Sequence, residues 1–267
     1  MKEYFFEPRG IYYRTNSFQP DRQTIVLIHG LSGHASAWKP YEEFLDKNYN
    51  ILTFDLRGHG KSRKYASYDA YKISLFADDL LQLLNYLKIE KFTLVTHSFG
   101  CLIALEFVKN HQDMIEKLIL MSPSFSVDRL LARIIKPFLY ASRVLELLPF
   151  RGGVGYHFDY APYKNARDWN LGMTFSDIRL TGLRAYLFSS LQTFDVAYDD
   201  LLSKIEVPTL LIHGRKDSIF PIKNSMIMKE RISDAELVIL EEGDHIIVVN
   251  TSYFGRIKSA VEDFMLK

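Results

Sequence analysis

Six short runs, Ile25–Ile28, Ile51–Phe54, Phe92–Val95, Leu118–Met121, Thr209–Ile212 and Leu237–Leu240, are apolar at nearly every position rather than at alternate ones. Continuous apolarity over so few residues is the pattern of a strand buried on both faces, as in a parallel sheet. Between the runs lie stretches with the helical period: Trp38–Leu45, Ile73–Leu87, Phe99–Lys109, Lys223–Arg231 and Ser252–Met265. In Ile73–Leu87, Asp78, Asp79, Gln82 and Asn85 interleave with Leu80, Leu81, Leu83, Leu84 and Leu87, giving one polar face and a broad apolar one, a helix that covers a sheet. Tyr4–Phe6 and Gly10–Thr15 read as an opening hairpin. The alternation predicts an α/β fold with a mostly parallel central sheet flanked by helices.

The alternation stops after Pro123 and resumes at Val207-Pro208. Residues 124–205 are helical and aromatic without a convincing buried strand, so they read as an insertion into a core made of 1–123 and 206–267. Within it, Asp128–Phe150 carries Leu130, Leu131, Ile134, Ile135, Phe138, Leu139, Val144, Leu145, Leu147 and Leu148 among a few charges, with Pro137 placed to kink or divide the helix. Its apolar face has three readings: packing on the core, roofing an acyl-chain pocket, or weak contact with a lipid surface.

Charge and cysteine content remove several classes of function. With 33 basic and 32 acidic residues and no long block of either sign, nothing steers a nucleic acid toward the chain. The single Cys101 forms no internal disulfide and no CxxC metal pattern. No metal and no cofactor are expected. The first ten residues lack a long apolar stretch and no run reaches the length of a spanning helix, so a soluble, cytoplasmic protein is expected. Oligomeric state is not legible.

Chemistry enters at the strand-to-helix junction Thr96-His97-Ser98-Phe99-Gly100. A sharp turn there pushes the Ser98 hydroxyl out of the sheet edge, and the following helix directs its N-terminal N–H groups at any oxyanion forming beside it. Gly100 suits a turn with almost no room beside the strand, whereas Thr96, where this small-x-Ser-x-Gly pattern usually has glycine, should crowd it. A plain reading of Ser98 as a helix cap also exists. Other predicted strands empty into loops that carry reactive groups: His29-Gly30-Leu31-Ser32-Gly33, Asp217 in His213–Asp217, and His245 after Glu241–Asp244.

These residues, together with the loop Phe54–Ser62, resemble the α/β-hydrolase family over nearly the whole chain. In that family a serine, an acid and a histidine follow one another in sequence; here they are Ser98, Asp217 and His245. The resemblance implies an α/β-hydrolase fold in which 124–205 is a helical cap over the crevice at the carboxyl ends of the strands. It implies a serine hydrolase, with His245 as base, Asp217 as orienting acid, and the backbone N–H groups of Leu31 and Phe99 as the oxyanion hole. A serine at position 98 disfavours the family's chemistries that start from a carboxylate nucleophile. The expected partner is a small-molecule carboxylic ester of small to medium acyl chain, a monoacylglycerol among the candidates. C–C bond hydrolysis, an amidase or aminopeptidase-like activity, acyl transfer, and a non-catalytic small-molecule receptor remain alternatives.

Among competing groups, Asp244 adjoins His245 but should point away from it, and Ser122-Pro123-Ser124 leaves no acid after the next strand. His29, His59 and His97 read as loop braces, Asp55 and Arg57 as ties within their loop, and Cys101 as a small buried hydrophobe. His34 could face the pocket or the interior.

Overall fold

The computed structural model describes residues 1–127 and 129–267. Eight strands form one sheet: β1 (Lys2–Phe6), β2 (Ile11–Thr15), β3 (Thr24–Ile28), β4 (Asn50–Phe54), β5 (Phe92–His97), β6 (Ile115–Met121), β7 (Thr209–Gly214) and β8 (Ala235–Leu240). Their spatial order is β1-β2-β4-β3-β5-β6-β7-β8. The hairpin β1–β2 and the β2–β4 pairing are antiparallel; every later pairing is parallel.

Alternate residues of the apolar runs feed two separate cores. Val26 and Ile28 of β3 pack with Leu80, Leu84, Leu102 and Leu105, from helices α2 (Ile73–Leu87) and α3 (Phe99–His111), after α1 (Lys39–Leu45) has crossed to the other face. Ile25 and Leu27 pack with Trp38, Tyr41 and, from the C-terminal helix Phe254–Met265, Val261 and Phe264. Both sides of the strand are dry, which is why it shows no polar alternation.

The polar face assigned to α2 needs one correction. Asp79 is buried, not solvated: Arg57 Nε and Nη2 donate to its two oxygens at 2.6 and 2.7 Å, and Arg9 Nε donates at 3.0 Å. A buried carboxylate is tolerable only when paired in this manner. Arg57 thus ties its loop to α2 rather than to Asp55. Asp55 instead accepts from the backbone of Ala35 and Lys61, both at 2.7 Å, and contacts His157 Nε2 at 2.6 Å.

Between β6 and β7 the described chain is helical: α4 (Arg129–Ala141), α5 (Leu171–Thr181), α6 (Leu183–Thr193) and α7 (Asp199–Leu202), with short 3₁₀ turns. Its only strand-like contact among the described residues is an isolated bridge, Ser126 to Ala197. Asp128, expected to begin the first helix, lies outside the described residues, as do the side chains of Leu130 and Leu131. Pro137 sits inside α4 without dividing it; the α-helix ends at Ala141 and passes into a 3₁₀ turn, Ser142–Leu147. The apolar face is shared out: Leu139 and Leu145 pack on the core, Ile135 borders the main cavity, and Ile134, Phe138 and Leu147 are exposed. The remaining helices are α8 (Lys223–Arg231), against β7 and β8, and α9 (Phe254–Met265). Among the described residues no helix is long and apolar enough to cross a membrane.

Candidate active site

Parallel strands deliver their C-terminal loops to one edge of the sheet. The loops after β3, β5, β7 and β8 all border one cavity of about 900 Å³, roofed by residues between β6 and β7. Ser98, between β5 and α3, has φ +53° and ψ −116°. A non-glycine residue held there costs of order 1–3 kcal/mol, a strain found where a side chain must be aimed. The turn is kept by Ser98 N–H donating to Met121 O at 3.0 Å and Cys101 N–H donating to Ser98 O at 2.8 Å. Gly100 is there for want of room: a Cβ on it would lie 2.8 Å from His29 O and 2.9 Å from Ile28 O, both rigid backbone.

The structure brings the three predicted side chains together. Ser98 Oγ donates to His245 Nε2 at 2.6 Å, and His245 Nδ1 donates to Asp217 Oδ2 at 2.8 Å. An acceptor at Nδ1 fixes the tautomer and leaves Nε2 free to accept. Asp217 Oδ1 accepts from the N–H groups of Ile219 and Phe220 at 2.9 and 2.8 Å. Burial by itself would raise the Asp217 pKa, but hydrogen bonds from His213 and His245 outweigh it and hold the carboxyl far below the usual range. Leu31 and Phe99 both border the cavity beside Ser98, and neither backbone N–H donates to a protein acceptor among the described residues. Phe99 is the first residue of α3, where an N–H has no partner within the helix.

The neighbouring histidines are braces. His29 Nδ1 donates to Gly30 O at 2.7 Å and its Nε2 accepts from Leu56 N–H at 3.0 Å. His97 Nε2 donates to His245 O at 2.8 Å, holding the loop that carries His245. His59 Nδ1 donates to Arg57 O at 2.9 Å. Desolvation pushes His29 down to about 4 and His59 and His97 to about 3, so all three stay neutral at pH 7. His34 faces the interior: it is fully buried, stacked on His157 at 4.6 Å, and held neutral by burial at a pKa of about 2.

Asp244 makes no hydrogen bond to His245, and neither of its buried oxygens has a partner among the described residues. Burial, then the neighbouring Asp168, raises its pKa to about 6. Cys101 is buried, with its thiol pushed up to about 12 by desolvation. The crowding expected at Thr96 is resolved by this cysteine: Thr96 Oγ1 donates to Cys101 Sγ at 3.2 Å. A small, polarisable side chain one helical turn past the serine leaves space for the β-branched one.

Four side chains of the site escaped the sequence analysis. His213 Nε2 lies 2.9 Å from Phe220 O and 3.1 Å from Asp217 Oδ2, while its Nδ1 is 2.6 Å from Ser225 Oγ. Asp168 accepts from His245 N–H at 2.5 Å and from Ser218 N–H and Oγ at 2.9 and 2.7 Å, stitching the segment before α5 to the acid and histidine loops. Tyr160 donates to Asp177 at 3.0 Å, and both border the cavity. Only His213, four residues before an expected acid at a strand end, carried any positional signal. No group of three or more metal-ligating side chains occurs among the described residues.

A family model described as alpha/beta hydrolase fold matches residues 23–250. Among curated proteins, one from Rhizobium rhizogenes, named "Putative carbamate hydrolase RutD", is 31% identical over 244 residues, covering 86% of this chain and 88% of its own. Among solved structures, an esterase from Exiguobacterium antarcticum superposes with a TM-score of 0.75 at 21% identity, covering 96% of each chain. An enol-lactonase from Burkholderia xenovorans gives 0.74 at 21% identity, covering 96% of this chain and 95% of its own. At such identities the two structural matches speak for the fold alone.

Proposed function

We propose a function from one premise: this chain belongs to the α/β-hydrolase fold family. Within that family it is a serine hydrolase that cleaves a carboxylic ester through an acyl-enzyme on Ser98. The observation that carries this reading is the unbroken chain of two hydrogen bonds from Ser98 Oγ through His245 to Asp217. A serine hydroxyl is a poor nucleophile at neutral pH and needs a base within hydrogen-bond reach. His245 Nε2, at 2.6 Å, takes the proton as Oγ attacks the carbonyl carbon and returns it to the departing alcohol. Asp217, kept ionised, holds the Nδ1–H tautomer and favours the imidazolium that forms. The free N–H groups of Leu31 and Phe99 stabilise the oxyanion, and losing one such donor typically costs about 3 kcal/mol, or a hundredfold in rate. Water activated by the same imidazole then releases the acid.

The cavity argues for size. At about 900 Å³ it lies in the upper part of the range for ligand pockets and suits an ester of small to medium chain better than a two- or three-atom substrate. Residues 124–205 act as its cap. A carbamate is the second reading, favoured by the name of the relative from Rhizobium rhizogenes; a carbamoyl carbonyl is open to the same attack. The test is a fluorophosphonate probe followed by substrate panels. Ser98 becomes labelled, and Ser98→Ala abolishes labelling; a folded protein that stays unlabelled defeats the proposal and favours a receptor. p-Nitrophenyl esters of graded length should show a burst of phenol and an optimum above acetate. Turnover of carbamates with none of esters would select the second reading.

A further inference from the structure

Asp177 is a buried carboxyl group that the proposed mechanism does not use. It lies on α5, four residues before Thr181, whose Oγ1 donates to Ser32 O at 2.9 Å in the loop that carries Leu31. Residues i and i+4 share a helix face about 6 Å apart along the axis, so the Thr181 contact brings Asp177 close to the oxyanion loop. Tyr160 agrees: a side chain added at Gly33 would come within 3.6 Å of its hydroxyl, and that hydroxyl donates to Asp177 Oδ1 at 3.0 Å. The second oxygen, Oδ2, has no hydrogen-bond partner among the described residues, although Asp177 is only 7% exposed and borders the cavity. Among the described residues no arginine borders the cavity, and the lysine that does, Lys223, is accompanied by Asp168, Asp177 and Asp199. Of these acids, Asp168 is taken up by His245 and Ser218, and Asp199 faces Arg231 at 3.7 Å. Asp199 is about half exposed, so among the described residues Asp177 is the buried acid on this cavity with an oxygen that accepts from no protein donor.

We propose that Asp177, oriented by Tyr160, is a substrate-recognition residue: it accepts a hydrogen bond from an alcohol or ammonium group carried by the ester, and the site discriminates against esters that carry a carboxylate. This rests on the ester-hydrolase reading above. Oδ2 is not sealed from solvent, so a ligand in the cavity can reach it, and a site built to bond a substrate donor there rejects an analogue that lacks it. Desolvation raises the Asp177 carboxyl to about 7 despite the Tyr160 hydrogen bond, so a bound ammonium group would favour its ionised, accepting form.

The experiment uses two matched ester series, one varied at the far end of the acyl chain and one at the far end of the alcohol, each ending in methyl, hydroxyl, ammonium or carboxylate. In the unmodified enzyme, the hydroxyl or ammonium member of one series should exceed its methyl counterpart in kcat/KM by about tenfold or more, with the carboxylate member below both. Each preference is a ratio within one variant, so a general fall in turnover cancels. Asp177→Ala should level the donor-to-methyl ratio to within about threefold. Asp177→Asn, nearly isosteric, should keep a hydroxyl preference and lose an ammonium preference, which identifies the donor, and Asp177→Leu, of similar volume and without an acceptor, should level either preference if the alanine variant does not fold. Absence of any donor preference in the unmodified enzyme, or its persistence in a folded alanine or leucine variant, overturns the inference. A failure of the ester reading is separate, because it leaves no ester turned over and Ser98 unlabelled.

Discussion

Replacing Asp217 by asparagine tests the proposed orienting acid against Asp244, the sequence neighbour of His245. Both oxygens of Asp217 act as acceptors, Oδ2 toward His245 and His213 and Oδ1 toward two backbone N–H groups. Asparagine has one accepting and one donating end. With its NH₂ in the Oδ2 place it meets the Nε2–H of His213 and drives the His245 proton from Nδ1 to Nε2, where the ring can no longer accept from Ser98. With its NH₂ in the Oδ1 place, two buried donors face a third, at about 1–3 kcal/mol for each bond left unmade. In neither orientation does a negative charge remain to favour the imidazolium. For a triad of this type the wrong tautomer lowers kcat by about 10⁴, roughly 5.5 kcal/mol of transition-state stabilisation. Asp244 has no hydrogen bond to lose, so Asp244→Asn should change kcat by less than about tenfold. The assay is initial ester hydrolysis at saturating substrate, normalised to melting-verified folded protein. An Asp217→Asn enzyme retaining more than about a tenth of kcat, or an Asp244→Asn enzyme that loses four decades, would refute the argument.

The remaining predictions concern the elbow and the buried histidines. Gly100→Ala forces a Cβ against two carbonyl oxygens at the end of β3, so stability should fall by about 1–3 kcal/mol in thermal melts, and turnover by about a hundredfold as the Leu31 donor is displaced. Thr96→Gly should lower stability by about 1–2 kcal/mol, through strand entropy and the space left over Cys101, while fluorophosphonate still labels Ser98. His29, His34, His59 and His97 are depressed below 6.5 in the folded state, so the unfolded chain binds more protons once the pH drops below about 6.5. Each then removes up to about 1.4 kcal/mol of stability per pH unit, the loss continuing down toward its folded pKa of about 2 to 4. Asp177 and Asp244, raised to about 7 and 6, and Asp79, also raised by burial, have the opposite sign, but they are three groups against four. The melting temperature should therefore fall steadily from pH 7 to pH 4.5, and a flat profile there would contradict the burial of these imidazoles.

What was legible from sequence and what was not follow one physical division. The strands were readable because burial on both faces writes a local signature, four to seven apolar residues in a row. Ser98, Asp217 and His245 were nameable because each directly follows such a run or lies a few residues beyond it. Asp79 was misplaced for the complementary reason. On α2 it follows the half-exposed Asp78, and Arg57, 22 residues away, together with Arg9 makes its burial tolerable. Thr96 looked like an obstacle until Cys101 was seen to receive its hydroxyl, a contact that depends on the angle at which α3 leaves the elbow. Asp168, Tyr160 and Asp177 were hidden most completely, since they lie between β6 and β7, where no period ties a residue to a face, and Asp168 reaches His245 across 77 positions. Backbone layers follow from short-range patterning, whereas partnerships between polar side chains follow from how those layers are docked. The triad belongs to the first class because parallel strands deliver their ends to one edge. The residues that would choose among substrates belong to the second, and for this chain the geometry of the segment between β6 and β7 is what exposes them.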